Sequence, residues 1–288
     1  MSYRPDVAAV MSAHNAVGTI IPAVQSLLDQ TEVSLEVVVF DDGSTDGTDV
    51  ALRSVADPRL RVIRSPQNLG RSVGRDRAIR AATADVVAIA DADDVSLAGR
   101  LAAHVRQLRR SPDAVGTFGR LVERRGSRSI LSDRFPSATA SVDAMFARGQ
   151  MPVAHPACAF RRAWYFGTGG YDPDIRWCED YDLFARGWFP GAFVPDPTPL
   201  VAYASPGAVW PWRYWWENER HRRAITARVR SGATSDARTS SIAPYLRAAS
   251  TPPRHAAEVL RYVAISARDA ARERRRIQRS IEEESRKR

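Results

Sequence analysis

The sequence predicts an α/β protein: a mostly parallel central sheet flanked by helices, followed by a helical C-terminal extension. Three observations carry that reading. Val7–Met11, Leu35–Phe40 and Val86–Ala90 are short, nearly unbroken apolar runs, the mark of strands buried on both faces. They alternate with segments of helical periodicity at the pitch of strand–helix–strand units. Each run ends in a polar loop, and right-handed crossovers place such loops on one edge of a sheet.

Taken in order, Val7–Met11 is the first strand and Ser12-Ala13-His14-Asn15 its loop. Thr19–Leu28 puts Ile20, Val24, Leu27 and Leu28 on one helical face, with Pro22 tolerated in the first turn. Leu35–Phe40 is the second strand. It runs into the acidic, Gly-containing turn 41–48 and a helix over Thr48–Val55. Arg61–Ile63 is a third strand, and a helix over Val73–Ala82 follows the Asn68-Leu69-Gly70-Arg71 loop. Val86–Ala90 is the fourth strand and leads to a helix over Ser96–Arg109. Beyond Arg110 the alternation weakens. Val115–Val122, Val153–Phe160, Phe193–Val194 and Leu200–Ala204 read as strands, and Ser141–Arg148 as a short helix. Trp164–Asp174 reads as a Gly-bearing loop, and residues 177–183 open a helix with an acidic first turn.

Charge divides the chain into two parts. The 288 residues carry a formal net charge of +9, yet residues 1–204 hold 23 basic and 24 acidic side chains. Residues 205–288 hold 19 basic and 9 acidic ones. The predicted division is therefore a near-neutral folded domain over 1–204 and a basic, Trp/Arg-rich helical extension over 205–288. Ser231–Ser241 reads as a linker, and the chain finishes in an Arg/Glu-rich helix beyond His255. Two cysteines, neither in a metal-ligand spacing, favour a reducing compartment. The absence of a signal-like segment and of a long apolar run predicts a cytoplasmic protein.

The fourth strand ends in three carboxylates, Asp91, Asp93 and Asp94. Capping of the next helix accounts for one acidic residue there, not three. Crowded carboxylates repel unless a cation neutralises them. Hard oxygen ligands suit Mg2+ or Mn2+, which in turn bind phosphates.

Taken together, the loops resemble the family 2 glycosyltransferases, with their nucleotide-sugar-binding GT-A fold and Rossmann-like nucleotide-binding half. Five segments match in order over roughly residues 5–205. They are the first strand with Ser12-Ala13-His14-Asn15; the strand and turn ending Asp41-Asp42-Gly43-Ser44; Asn68-Leu69-Gly70 with Gly74-Arg75-Asp76; Asp91-Ala92-Asp93-Asp94; and Phe160-Arg161-Arg162 through Gly169-Gly170-Tyr171 to Glu179-Asp180.

The resemblance implies a metal-assisted, inverting transfer of a sugar from a nucleoside-diphosphate sugar to a hydroxyl of a glycan or lipid-linked glycan, in the biosynthesis of cell-envelope polysaccharide. It implies that Asp42 accepts hydrogen bonds from the base or ribose, an acceptor-only role. Ser12, His14 and Asn15 line the nucleotide, and Arg75 reaches its phosphates or base. Asp93 or Asp94 ligates a Mn2+ or Mg2+ ion, with the other, and Asp91, near the donor. Asp180 is the base that takes the acceptor's proton, and Glu179 either shares that task or orients the acceptor. An acidic first turn also has a plain explanation in the helix dipole. Trp177 and Tyr171 either stack on the acceptor or belong to the core.

Two departures stand out. His14 occupies a place where the family usually carries an aromatic residue. Tyr203-Ala204-Ser205-Pro206 lacks the histidine that many relatives carry there as a further metal ligand. The tryptophans 210, 212, 215 and 216 beside Arg213 and the 219–223 run have two readings. One is peripheral contact with the inner face of the plasma membrane. The other is packing back on the catalytic domain. No recognised nucleic-acid module is present, which argues against nucleic acid as a partner. A sugar-phosphate nucleotidyltransferase would carry Lys or Arg in the first loop, and none is there. The remaining alternative is a catalytically degenerate nucleotide-sugar-binding or membrane-associated scaffold protein.

Overall fold

The computed structural model describes residues 4–125, 128–175, 177–204 and 212–230. The linker and terminal helix expected beyond residue 230, Trp210, and the side chains of Trp212, Trp215 and Trp216 lie outside the described parts.

The N-terminal half is built as the apolar runs dictate. β1 (Val7–Ala13), α1 (Ile20–Leu28), β2 (Leu35–Asp42), α2 (Thr48–Arg53), β3 (Leu60–Ser65), α3 (Arg71–Ala81) and β4 (Val86–Asp91) form a parallel block in the order β3-β2-β1-β4. Alternate residues of these strands feed two cores. Ala8, Val10, Val38, Val87 and Ile89 face one side, and Val7, Ala9, Met11, Val37 and Val39 the other. Both faces of the sheet are thus covered, which is why the strands read as apolar throughout. α1 closes one face with Ile20, Ala23, Val24, Leu27 and Leu28.

α3 closes the other face and comes very near the sheet, because Gly74 lies directly over β1. A Cβ on Gly74 would overlap the Ser12 Oγ and sit 3.2 Å from the Phe40 ring. The change Gly74→Ala is expected to cost about 1–3 kcal/mol by overpacking. Urea unfolding of the variant checks this, with Gly18→Ala, where no atom lies within 4 Å of the added carbon and φ is not positive, as the unhindered reference.

Past β4 the chain departs from simple alternation. β5 (Val95–Ser96) precedes α4 (Arg100–Arg110), and β6 (Gly116–Arg125) precedes β7 (Arg128–Leu131), α5 (Thr139–Ala147), β8 (Cys158–Arg161), α6 (Arg162–Gly167), α7 (Glu179–Gly187), β9 (Phe193–Tyr203) and α8 (Trp212–Arg230). The described residues form one nine-stranded sheet, β3-β2-β1-β4-β8-β6-β9-β5, with β7 on β6. β8 runs antiparallel between β4 and β6, and β9 pairs parallel with β6 and antiparallel with β5.

Four expectations change here. The helix expected from Ser96 begins at Arg100, because Ser96 pairs with Val201 across β5 and β9. The strand expected from Val153 begins at Cys158, after a 3-10 turn over His155–Ala157 that contains Pro156. The loop expected over Trp164–Asp174 starts inside α6, which buries Tyr165 in the core. The two strands expected at 193–194 and 200–204 are one, kinked by register shifts opposite Phe118, Arg120 and Leu121.

Arg100 ties these parts together from within the fold. Its guanidinium is buried and donates to the Ser96 Oγ at 3.0 Å, to the Pro156 carbonyl at 2.8 Å and to the Ile89 carbonyl. Burial lowers its pKa to about 10, and these acceptors replace the water it has lost.

Candidate functional site

The site forms where β1, β2 and β4 end, as expected for an open α/β sheet. Asp42 is buried at the end of β2, and its two oxygens accept from the backbone N–H of Leu69 at 2.7 Å and of Gly70 at 2.9 Å. It therefore fixes the loop that leads into α3, and spare lone pairs remain for a ligand. Asp41, fully buried beside it, accepts from Ser44 N–H at 3.1 Å.

Ser12, His14 and Asn15 stand on the β1 loop beside this turn. Ser12 faces Gly74 of α3. His14 is exposed, and its Nδ1 lies 2.8 Å from the Asp42 carbonyl. Asn15 has a left-handed backbone with φ of 51°, a conformation asparagine tolerates. Its N–H donates to Ser44 Oγ at 3.0 Å, and its side-chain oxygen accepts from Thr45 N–H at 2.9 Å. These contacts lock the two loops into one rim.

The carboxylates after β4 divide by environment. Asp91 faces α3, Asp93 is exposed, and Asp94 is buried. Asp94 Oδ1 accepts from the Ala204 N–H at 2.8 Å, whereas its buried Oδ2 has no partner among the described residues. Burial, with the Asp91 charge nearby, pushes Asp94 up to about 8. Ala204 belongs to the segment that lacks the family's histidine; its backbone, not a side chain, reaches the carboxylates. Among the described residues no three His, Cys, Asp or Glu side chains converge as a cage for an ion.

Arg75 departs most from expectation. The sequence reading extends it toward phosphates, but its guanidinium is turned inward and only 3% of the residue is exposed. It donates to Asp91 at 2.5 Å on one side and to Glu179 at 2.8 Å on the other. Burial works against the charges of both Arg75 and Asp91, but their attraction prevails, so Arg75 is raised and Asp91 lowered. One cation thus spans the end of β4 and the start of α7.

α7 opens with Glu179 and Asp180. The preceding Cys178 has φ of 59°, a strained backbone for a residue with a Cβ. Glu179 is buried against Arg75, with Arg71 at 3.6 Å, and Asp180 is half-buried beside it. Burial and then the Glu179 charge push Asp180 up to about 6. That value suits a group which must hold a proton and release it near neutral pH.

Of the two aromatic candidates, Tyr171 is core and Trp177 is 38% exposed. His155, outside the five segments that carry the resemblance, is buried and lies 2.8 Å from the Tyr171 hydroxyl. Burial pushes His155 down to about 3, so it stands neutral as a hydrogen-bond partner inside the site wall. Only the fold brings it near Asp91 and Arg75, and no local motif marks it.

Comparison with known proteins places these features in a family. The family model described as glycosyl transferase family 2 matches residues 8–166. The succinoglycan biosynthesis protein ExoO of Rhizobium meliloti is 38% identical over 112 residues, 39% of this chain and 31% of that protein. ExoU from the same organism is 33% identical over 220 residues, 65% of this chain and 58% of that protein. The matches therefore span less than two thirds of either relative. An Escherichia coli protein, the UDP-Glc:alpha-D-GlcNAc-diphosphoundecaprenol beta-1,3-glucosyltransferase WfgD, is 30% identical over 33% of this chain and 38% of its own length. Among solved structures, S. aureus TarS in complex with UDP-GlcNAc superposes with a TM-score of 0.63 at 15% identity, covering 84% of this chain and 71% of that one. The Pyrobaculum calidifontis mannosyltransferase PcManGT, in complex with GDP-Man and Mn2+, gives 0.57 at 21% identity, covering 92% and 81%. These likenesses show a shared fold.

Proposed function

Because the chain belongs to glycosyl transferase family 2, we propose that it moves a sugar, with inversion, from a nucleoside-diphosphate sugar to a hydroxyl of a glycan or lipid-linked glycan. The observation that carries this reading is Arg75. It joins Asp91, beside the loops that would hold the donor, to Glu179, beside the proposed base. Donor and acceptor chemistry meet at that point.

In this reading the rim made by Ser12, His14, Asn15 and Asp42 holds the nucleotide. Asp91 faces the sugar, held from behind by Arg75, and Asp180 accepts the proton of the attacking hydroxyl at its carboxylate. The neighbouring Glu179 carboxylate, paired with Arg75, raises the proton affinity of Asp180 and so makes it a stronger base. The unpartnered Asp94 oxygen and the exposed Asp93 carboxylate fit a hard divalent ion, and these two residues would hold it. Such an ion supplies positive charge against the departing diphosphate. The relatives that name a UDP-glucose donor and a diphosphoundecaprenol-linked acceptor support a lipid-linked substrate.

α8 packs against α7 through Thr226 and Tyr181, which supports the reading of its C-terminal turns as part of the catalytic fold. No helix among the described residues is long and apolar enough to cross a membrane. The basic residues of the segment after 204 offer cations to anionic headgroups at a membrane surface.

A thermal-shift panel tests the site. UDP, GDP, dTDP and CMP are each measured with Mn2+ and with EDTA. One diphosphate is expected to raise the melting temperature in Mn2+ and to lose most of that shift in EDTA. No shift with any nucleotide refutes the donor site, and a shift indifferent to EDTA refutes the metal. Nucleotide-dependent stabilisation without sugar turnover supports the degenerate-protein alternative instead.

A further inference from the structure

Asp182 lies one turn inside α7 and is fully buried, yet the proposed chemistry does not use it. Two guanidinium groups converge on its carboxylate. Arg186 of the same helix donates to Oδ2 through Nε at 2.9 Å and Nη2 at 2.8 Å. Arg228 of α8 donates to Oδ1. Arg186 also reaches out of the helix, donating to the carbonyl of Gly170 at 2.6 Å and to that of Thr168. Arg228 pairs at 3.6 Å with Asp172, on the same loop. One buried carboxylate thus ties α7, the Gly169–Gly170 loop and α8 together.

Two further contacts run from α8 to α7. The Cys178 thiol lies 3.4 Å from the Asn218 carbonyl and 3.3 Å from its side-chain oxygen. Thr226 meets the Tyr181 hydroxyl at 3.1 Å. Ile225 enters the main core, 5% exposed. Cys178 and Tyr181 bracket Glu179 and Asp180, so α8 grips the helix on either side of the proposed base. The grip includes Cys178, whose left-handed φ a cysteine rarely adopts unaided.

We infer that the Arg228–Asp182–Arg186 cluster, with Asn218 on Cys178, is a positioning device: α8 holds the first turn of α7 so that Asp180 faces the acceptor. This rests on the reading of Asp180 as the base. Arg228, Asp182 and Asn218 are positioning residues, acting through α7 and not on the substrate. A buried carboxylate with two guanidinium partners fixes direction better than apolar packing, since hydrogen bonds to a charged group are short and directional. The catalytic unit then includes at least part of the segment after residue 204.

Arg228→Gln, Arg228→Lys, Asn218→Ala and Asp180→Asn are compared with the unaltered chain. UDP release from UDP-glucose with Mn2+ is followed, with an N-acetylglucosaminyl diphosphate on a short alkyl chain as acceptor. Thiol labelling of Cys178 is followed in parallel, the fully buried Cys158 serving as internal reference.

Arg228→Gln is expected to lower kcat at least tenfold with the donor KM unchanged and to speed Cys178 labelling several-fold. Arg228→Lys should restore most of both. Asn218→Ala should speed labelling with a smaller fall in kcat. Unchanged labelling in Arg228→Gln overturns the inference, whatever the turnover. So does a fall in kcat that only tracks lost UDP binding and lost melting temperature. Normal turnover in Asp180→Asn instead overturns the base reading, leaving the docking of α8 to be judged by labelling alone.

Discussion

Asp180→Asn is expected to lower turnover about 10³-fold, within the range of a positioned general base. Nucleotide binding should survive, because Asp180 stands on α7, away from the rim on β1 and β2, and its carboxylate accepts from the N–H of Tyr181 at 2.8 Å. The pH profile supplies the second half of the test. A base works only when unprotonated, and burial with the Glu179 charge holds Asp180 at about 6. The rate should be flat above neutrality and fall tenfold per pH unit below about 6. The residual activity of Asp180→Asn should lack that acidic limb. A variant with full turnover, or a variant that keeps the limb, removes Asp180 from the role.

Arg75→Ala should cost both stability and activity. Its guanidinium side chain is 4% exposed, and its partners Asp91 and Glu179 are 26% and 7% exposed. Removing one partner of a buried ion pair leaves the other charged without compensation, at about 3–5 kcal/mol. For a chain of this size that corresponds to a fall in melting temperature of roughly 10 °C. Here two carboxylates lose their common cation. They are also the groups that face the donor and flank the base, so turnover should vanish even at temperatures where the variant stays folded. Arg75→Lys keeps the charge but one ammonium cannot span both carboxylates as a planar fork does. It should recover part of the stability and little of the activity. Calorimetry with a turnover assay on the same samples separates the two losses. Wild-type stability in Arg75→Ala would show that the bridge is not what holds β4 to α7.

The parallel half was legible because its signal is local. Val7–Met11 and Val86–Ala90 are apolar on both faces, and that pattern survives whatever they pair with. The acidic loops were legible for the same reason: three carboxylates in four residues have few structural uses. The antiparallel half was not. β9 contains Pro195, Pro197 and Pro199, which lower any strand expectation, yet register shifts against β6 accommodate them. β5 is two residues long and exists only through its pairing with β9. α6 looked like loop because its Gly167 and the glycines that follow hide the buried Tyr165, whose hydroxyl donates to Asp76 at 2.8 Å. The inward turn of Arg75 depends on Glu179, 104 residues away, and no spacing rule reports such a pair.

The contact between Asp94 and the N–H of Ala204 joins residues 110 apart. On the ribosome, β1 to β4 emerge first and can pair among themselves as a block, since domains fold in the order of synthesis. β5 cannot find β9, nor Asp94 its backbone donor, until the chain has been made past residue 204. The acidic centre is therefore finished only after β9 has been made. A chain terminated early leaves Asp94 without that donor and lacks α8 behind the proposed base.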